Sequence, residues 1–272
     1  MKQHLLCACC LAAVVLGVYQ DAAAETSAFL PLGRSWVSDK ETLPRPCGIG
    51  IDYYYQRMAY DVSRLSFNPT TPAQLPFVAA MGDITPGNVR SRVNEVNAKL
   101  DIWILPFLNL FGIIGYVEEN TKVNVPQLGG DVEVDDNGYI GGGGATFAYG
   151  IKHVWATVTI AGTYAGMSNE DAWIRAFVLS PRIGYKFNTP WSGTGANIWI
   201  GTMYQNTNEE HKGRINLQGI GPMSYDVKLE GKEPWNLLAG VNADLWGRVG
   251  VEIEAGGIMD RQQVLTALTY RF

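Results

Sequence analysis

From Asn94 to Ile104 the chain reads N-E-V-N-A-K-L-D-I-W-I, with an apolar side chain on every second residue. Val96, Ala98, Leu100, Ile102 and Ile104 share one face, and Asn97, Lys99, Asp101 and Trp103 share the other. A period of two is the period of a β-strand, whose successive side chains point to opposite sides. The alternation returns at 153–164, where Val154, Ala156, Val158 and Ile160 oppose His153, Trp155, Thr157 and Thr159. It returns again at 236–245, at 248–255 and over the last eleven residues. Helical periodicity, βαβ alternation and long repeats are not found, so the expected fold class is all-β.

Weaker strands read at 49–59, 108–118, 140–151, 173–187, 196–206, 210–218 and 222–230. Together these give about twelve antiparallel strands, each long enough to cross a bilayer at a tilt. The connections alternate in length. Pro106-Phe107, Lys152, Gln218 to Gly221 and Trp246-Gly247 are tight, with Asn188 to Gly195 a longer member of the same set. The other set contains the long segments 60–92 and 119–139, with Ser168 to Asp171 and Asn206 to Glu210. Short turns on one side and long polar loops on the other are expected of an up-and-down transmembrane barrel.

The amino terminus fits export. Lys2 precedes an apolar run from Leu5 to Val18, followed by Ala22, Ala23 and Ala24. The run is roughly 14 residues, short of the ~20 a spanning helix needs, so a signal peptide cleaved near Ala24 is expected. Cys7, Cys9 and Cys10 leave with it, and Cys47 alone remains, without a disulfide partner or a nearby His for a metal. The expected organisation is 1–24 signal peptide, 25–47 periplasmic extension and 48–272 barrel. Formal net charge is −5, which gives no footprint for nucleic acid.

Alternation alone does not say which face is inside. Aromatic residues gather at the strand ends, as amphipathic rings do at a bilayer interface. Phe107, Phe111, Tyr149, Phe187, Trp191, Trp246 and Phe272 fall on the short-turn side, and Tyr116, Tyr139, Tyr164, Trp173, Tyr204 and Trp235 on the other. Charged and amide groups occupy the face opposite the aliphatic one. In a soluble core each of these charges needs a buried partner, at a cost of several kcal/mol, whereas in a wet lumen it costs little. The expected lumen-lining residues are therefore Lys99, Asp101, Trp103, Arg175, Asn242, Asp244, Glu252, Glu254 and Arg271.

The chain stops at Leu268-Thr269-Tyr270-Arg271-Phe272. This resembles the carboxyl-terminal signature of Gram-negative outer-membrane β-barrel proteins, an amphipathic strand ending in Phe. The resemblance covers the last strand. It implies an outer-membrane location, the lipid bilayer as partner, and reading of Leu268, Tyr270 and Phe272 by the barrel-assembly machinery during biogenesis.

A mixed acidic, basic and amide lumen solvates a polar solute without trapping it, so a porin-like channel for small polar solutes is the first expectation. Segment 60–92, with Pro69, Pro72, Pro76 and Pro86, is a candidate for folding inward as a constriction. A non-conducting interaction barrel is an alternative. An outer-membrane hydrolase is another, for which His211, beside Glu209 and Glu210 and near the Ser168 loop, is better placed than His153. The acidic run Asp131 to Gly138 lacks the last ligand of a calcium loop, and Gly141 to Gly144 lacks the Lys and helix of a phosphate cradle. Neither enzyme activity nor a cofactor or metal is expected.

Overall fold

A computed structural model describes residues 30–37, 43–76, 87–125, 130–168, 172–189, 194–217, 221–258 and 260–272. The proposed signal peptide and Trp191 lie outside these residues. The strands are β1 (Cys47–Pro69), β2 (Val89–Leu105), β3 (Leu108–Val125), β4 (Gly130–Ile151), β5 (Val154–Met167), β6 (Trp173–Asn188), β7 (Gly195–Leu217), β8 (Gly221–Gly231), β9 (Trp235–Leu245), β10 (Val249–Ile258) and β11 (Arg261–Arg271). All pairs are antiparallel, and β11 closes on β1 from Gly48↔Arg271 to Arg57↔Gln262. Closure satisfies every edge, which is what lipid demands of a strand-built span. The seam is tied at the chain end, where Phe272 N donates to Cys47 O at 3.0 Å and Cys47 N donates to Phe272 O at 3.2 Å.

The expected twelve strands become ten in the closed barrel plus one outside it. Residues 196–206 and 210–218 are one continuous strand, β7, because Asn206 to Glu210 contains neither Gly nor Pro and keeps pairing to β6. The β7–β8 hairpin consequently lies on the long-loop side, not among the tight turns.

β8 does not cross with the others. The lower part of β7 pairs β9 as far as Tyr204↔Trp235, and its upper part pairs β8 from Asn208↔Glu230. β1 does the same, pairing β11 up to Arg57 and β8 from Tyr60↔Gly231. Ten strands therefore form the lower circuit, while β1 to β8 form a narrower circuit of eight above it. A break in register between Val62 and Arg64 lets β1 follow this change, as a bulge does.

Long-loop expectations are also revised. β1 runs on to Pro69 and β2 begins at Val89, while β3 continues to Val125 and β4 starts at Gly130, so most of 119–139 and both ends of 60–92 are strand, with 77–86 outside the described residues. Among the described residues, 70–76 do not enter the lumen. Thr70 Oγ1 and Gln74 Nε2 donate to Pro222 O at 2.5 and 2.9 Å, holding this segment on the end of β8.

The outer wall carries the aliphatic face. Ile51, Leu100, Ile114, Ile160, Ile200, Val241 and Leu268 are among its exposed residues. Exposed Phe107, Tyr149, Phe187 and Trp246 edge it on the short-turn side, and Tyr116, Tyr139, Tyr164 and Trp235 on the other. Tyr139 and Tyr149 stand ten residues apart on β4. At ~3.4 Å per residue and a ~45° tilt, that is about 24 Å of height, against ~25 Å for the apolar band of a membrane barrel. Phe111 leaves the expected rim and turns inward, where the Lys99 ammonium sits 4.8 Å from its ring centre.

Candidate functional site: a divided lumen

The wider ten-strand section holds a cavity with an empty volume of about 2010 Å³, its open mouth included. Near its short-turn end an ion pair spans the closing seam along the wall, Arg271 Nη1 to Asp101 Oδ1 at 2.9 Å, with Asn109 Nδ2 donating to the same oxygen at 2.8 Å. Asn97 Nδ2 donates to Asp52 at 3.0 Å, and Asn197 donates to Asn242 at 3.1 Å. Trp103 lines the same space, and Asp244 lies on the inward face of β9, between Gly195 and Gly250.

Higher up, Arg182 on β6 reaches across to β10. Its guanidinium contacts Glu252 at 3.4 Å and Glu254 at 2.5 Å, and lies 4.4 Å from the Trp199 ring centre. Glu254 also accepts from Gln263 Nε2 at 2.9 Å, and Gln263 accepts from Asn236 Nδ2 at 2.9 Å. Arg261, wholly buried, donates to Gln205, to Gln263 at 3.3 Å and to Pro234 O at 3.2 Å. Gln205 bonds Gln56 of β1 at 3.3 Å. One hydrogen-bonded chain thus runs from β6 through β10, β11 and β7 to β1. Its buried members Gln56, Gln205, Glu254, Arg261 and Gln263 sit just below the level where ten strands give way to eight. Eight strands enclose a bore that side chains fill, so the narrowing and the packed layer share one cause.

Above the layer, Ser91, Glu119, Glu209 and His211 are all buried. Glu119 accepts from Ser91 and, at 3.0 Å, from Thr121, while His211 Nε2 lies 3.5 Å from Glu209 Oε2. Beyond them an apolar pocket with an empty volume of about 640 Å³, its open mouth included, is lined by Leu65, Phe67, Val123, Val134, Val227 and Leu229.

On the exterior of this outer section, Lys122 pairs with Glu133 at 3.0 Å and Lys212 with Glu210 at 2.6 Å. The hydrogen bond from Asn120, then that from Lys122, holds the Glu133 carboxyl below the usual glutamate range. The Lys212 hydrogen bond does the same for Glu210, and that bond raises Lys212 in turn. Water screens these pairs, so they add charge to the wall rather than much stability.

Eight of the nine residues expected in the lumen face it. Arg175 does not. It pairs with exposed Tyr164 and stacks 5.7 Å from that ring and 4.6 Å from Trp173, on the outer wall. The inward arginine of β6 is Arg182, which sequence reading passed over. The signal was present: Phe177, Leu179, Ile183, Tyr185 and Phe187 are all odd-numbered, so even-numbered Arg182 belongs inside and Arg175 outside. Gln56, Gln205, Arg261 and Glu119 were likewise missed, and Glu209 was named only as a neighbour of His211, though parity along β1, β3, β7 and β11 marks each as inward. Glu210, grouped with Glu209 and His211 in the sequence, points away from them.

No protein-family model matches the chain, and no curated protein matches it. Among solved structures it is similar to the outer membrane protein OprG from Pseudomonas aeruginosa, at 9% identity and TM-score 0.43, covering 84% of this chain and 98% of that one. It is similar to the transport unit of the autotransporter AIDA-I from Escherichia coli, at 11% identity and TM-score 0.41, covering 92% and 97%. It is also similar to the β domain of the Bordetella autotransporter BrkA, at 13% identity and TM-score 0.40, covering 84% and 100%. These neighbours are outer-membrane β-barrels.

Proposed function

We propose that this protein is an exported outer-membrane barrel that passes small polar solutes through a narrow lumen gated by side chains, a porin-like channel of restricted bore. The observation that carries the reading is the chemistry of the closing layer. Arg261, Gln263, Gln205, Gln56 and Glu254 bond one another across the bore. A layer built only to fill a barrel is more cheaply made of apolar side chains, since buried charges repay their desolvation poorly. A polar layer, in contrast, can exchange its internal hydrogen bonds for bonds to a passing solute without leaving groups unpaired. The large charged vestibule beneath it supplies water and solute from the short-turn side.

The apolar pocket above the layer favours a second reading, a barrel that binds at its outer end and does not conduct. Conductance in planar lipid bilayers separates the two. The channel reading expects small unitary currents from the wild type and larger ones from Arg261→Ala, which empties the centre of the layer. Silence from both, with each protein folded, rejects it in favour of the second. A hydrolase has less support: the Ser91 and Thr121 hydroxyls donate to Glu119.

A further inference from the structure

We propose that Glu119, Glu209 and His211 form a binding site for a divalent transition-metal ion, of which Zn²⁺ is the natural probe, in the throat of the eight-strand section. One ligand atom from each of the three lies within 4.8 Å of the other two. The ligands come from strands four apart in a circuit of eight: Glu119 from β3, and Glu209 and His211 from β7. They approach across the bore rather than along one wall. All three residues are buried, at 4%, 1% and 5% exposure.

Two features point to a cation rather than to a chance cluster. The first is charge. Two carboxylates brought this close in a buried place repel unless a proton or a cation lies between them. The nearest cationic candidate is His211 itself, whose Nε2 is 3.5 Å from Glu209. The second is an orphaned atom. Glu119 Oε1 accepts the hydroxyls of Ser91 and Thr121, which fix the carboxylate, while its buried Oε2 has no hydrogen-bond partner. A buried carboxylate oxygen held in place by its neighbour and left unpaired is a ligand position.

The donor set suits the assignment. One imidazole nitrogen with two carboxylate oxygens is borderline between hard and soft, which selects zinc-like ions over calcium or magnesium. Ser91 and Thr121 serve as the outer partners that orient a metal-bound carboxylate. Three protein ligands leave a fourth position for water or a solute. Glu119 and His211 both line the apolar pocket, so that position opens towards it. The assignment is independent of conduction, since it needs only the folded throat.

The test is Zn²⁺ binding to the untagged full chain folded in detergent micelles, by calorimetry at neutral pH. Folding of each variant is checked by heat-modifiable migration on a gel. One saturable Zn²⁺ per barrel is expected, weakened at least about tenfold in Glu119→Gln and in His211→Ala. Co²⁺ in place of Zn²⁺ reports the mixed nitrogen and oxygen ligands by its visible absorption, and His211→Ala shifts that spectrum. His153→Ala, at the opposite end of the barrel, leaves binding unchanged. Glu119→Gln is isosteric, so it keeps the test decisive if His211→Ala does not fold. Absence of a stoichiometric site in the wild type means that the two carboxylates share only a proton, and it overturns the proposal. So does a site that Glu119→Gln does not weaken.

Discussion

Placing Arg at Val241 tests the assignment of the outer face to lipid. Val241 is exposed on β9, with Trp235 six residues above it and Trp246 five below. At ~3.4 Å per residue and ~45° of tilt, it stands about 14 Å from the upper aromatic and about 12 Å from the lower one. That is the middle of the belt. An arginine facing hydrocarbon at the midplane of a membrane barrel costs about 2–4 kcal/mol, falling to about 0–1 kcal/mol near the interfaces. Val241→Arg is therefore expected to lower the folding equilibrium constant by about 30- to 700-fold. Leu245→Arg, on the same face and next to Trp246, is expected to change it by less than about sixfold. The assay is reversible guanidinium unfolding in phospholipid vesicles, followed by tryptophan fluorescence. On a soluble barrel the same exposed Val→Arg change is worth only about ±0.5 kcal/mol. Equal and near-zero effects at the two positions would refute the lipid-facing assignment, and the channel reading with it.

Two further outcomes follow from the chain end and the outer wall. Deleting Phe272 removes both hydrogen bonds to Cys47 at the closing seam, along with the last aromatic of the terminal signature. Assembly-machinery-dependent insertion into proteoliposomes is expected to slow, with β11 otherwise unchanged, and unaltered insertion rates would count against the proposed role of that signature. Glu210 is expected to titrate below the usual glutamate range by carbon-detected NMR, chiefly through the Lys212 hydrogen bond, and to rise towards that range in Lys212→Met. Because its folded pKa is depressed, its small contribution to stability is present above the ordinary glutamate pKa and is lost as pH falls through the folded value. A Glu210 midpoint unmoved by Lys212→Met would show that the 2.6 Å contact is not formed in solution.

How much of this could be read from the sequence follows from what marks each segment. Wherever a strand crosses lipid its outer face is aliphatic, and alternation is plain. β2, β5, β9, β10 and β11 were legible for that reason. Above the belt both faces meet water or a narrow throat, and the pattern fades. Asn206 to Glu210 then resembles a loop, although β6 and β8 pair with that stretch of β7. Reading inwardness from residue type rather than from parity produced the remaining errors. Arg175 is charged yet outside, steadied by the Trp173 and Tyr164 rings, and Phe111 is aromatic yet inside, under Lys99.

One strand of the weaker set, 222–230, is also the one that shapes the bore. β8 carries a short, mixed sequence, P-M-S-Y-D-V-K-L-E, whose even-numbered members Pro222, Ser224, Asp226, Lys228 and Glu230 are mostly polar. Its inward Met223, Tyr225, Val227 and Leu229 have no membrane partner to announce them, and they pack into the outer section instead. By standing in for three strands between β7 and β1, β8 reduces the circuit from ten to eight. Bore scales with strand number, so this substitution alone converts a water-sized lumen into one that side chains fill. The polar layer, the Glu119–Glu209–His211 cluster and the apolar pocket all lie at or above that step. A single hairpin above the aromatic belt thus determines where the bore narrows, and no residue-by-residue count of inward charges contains that information.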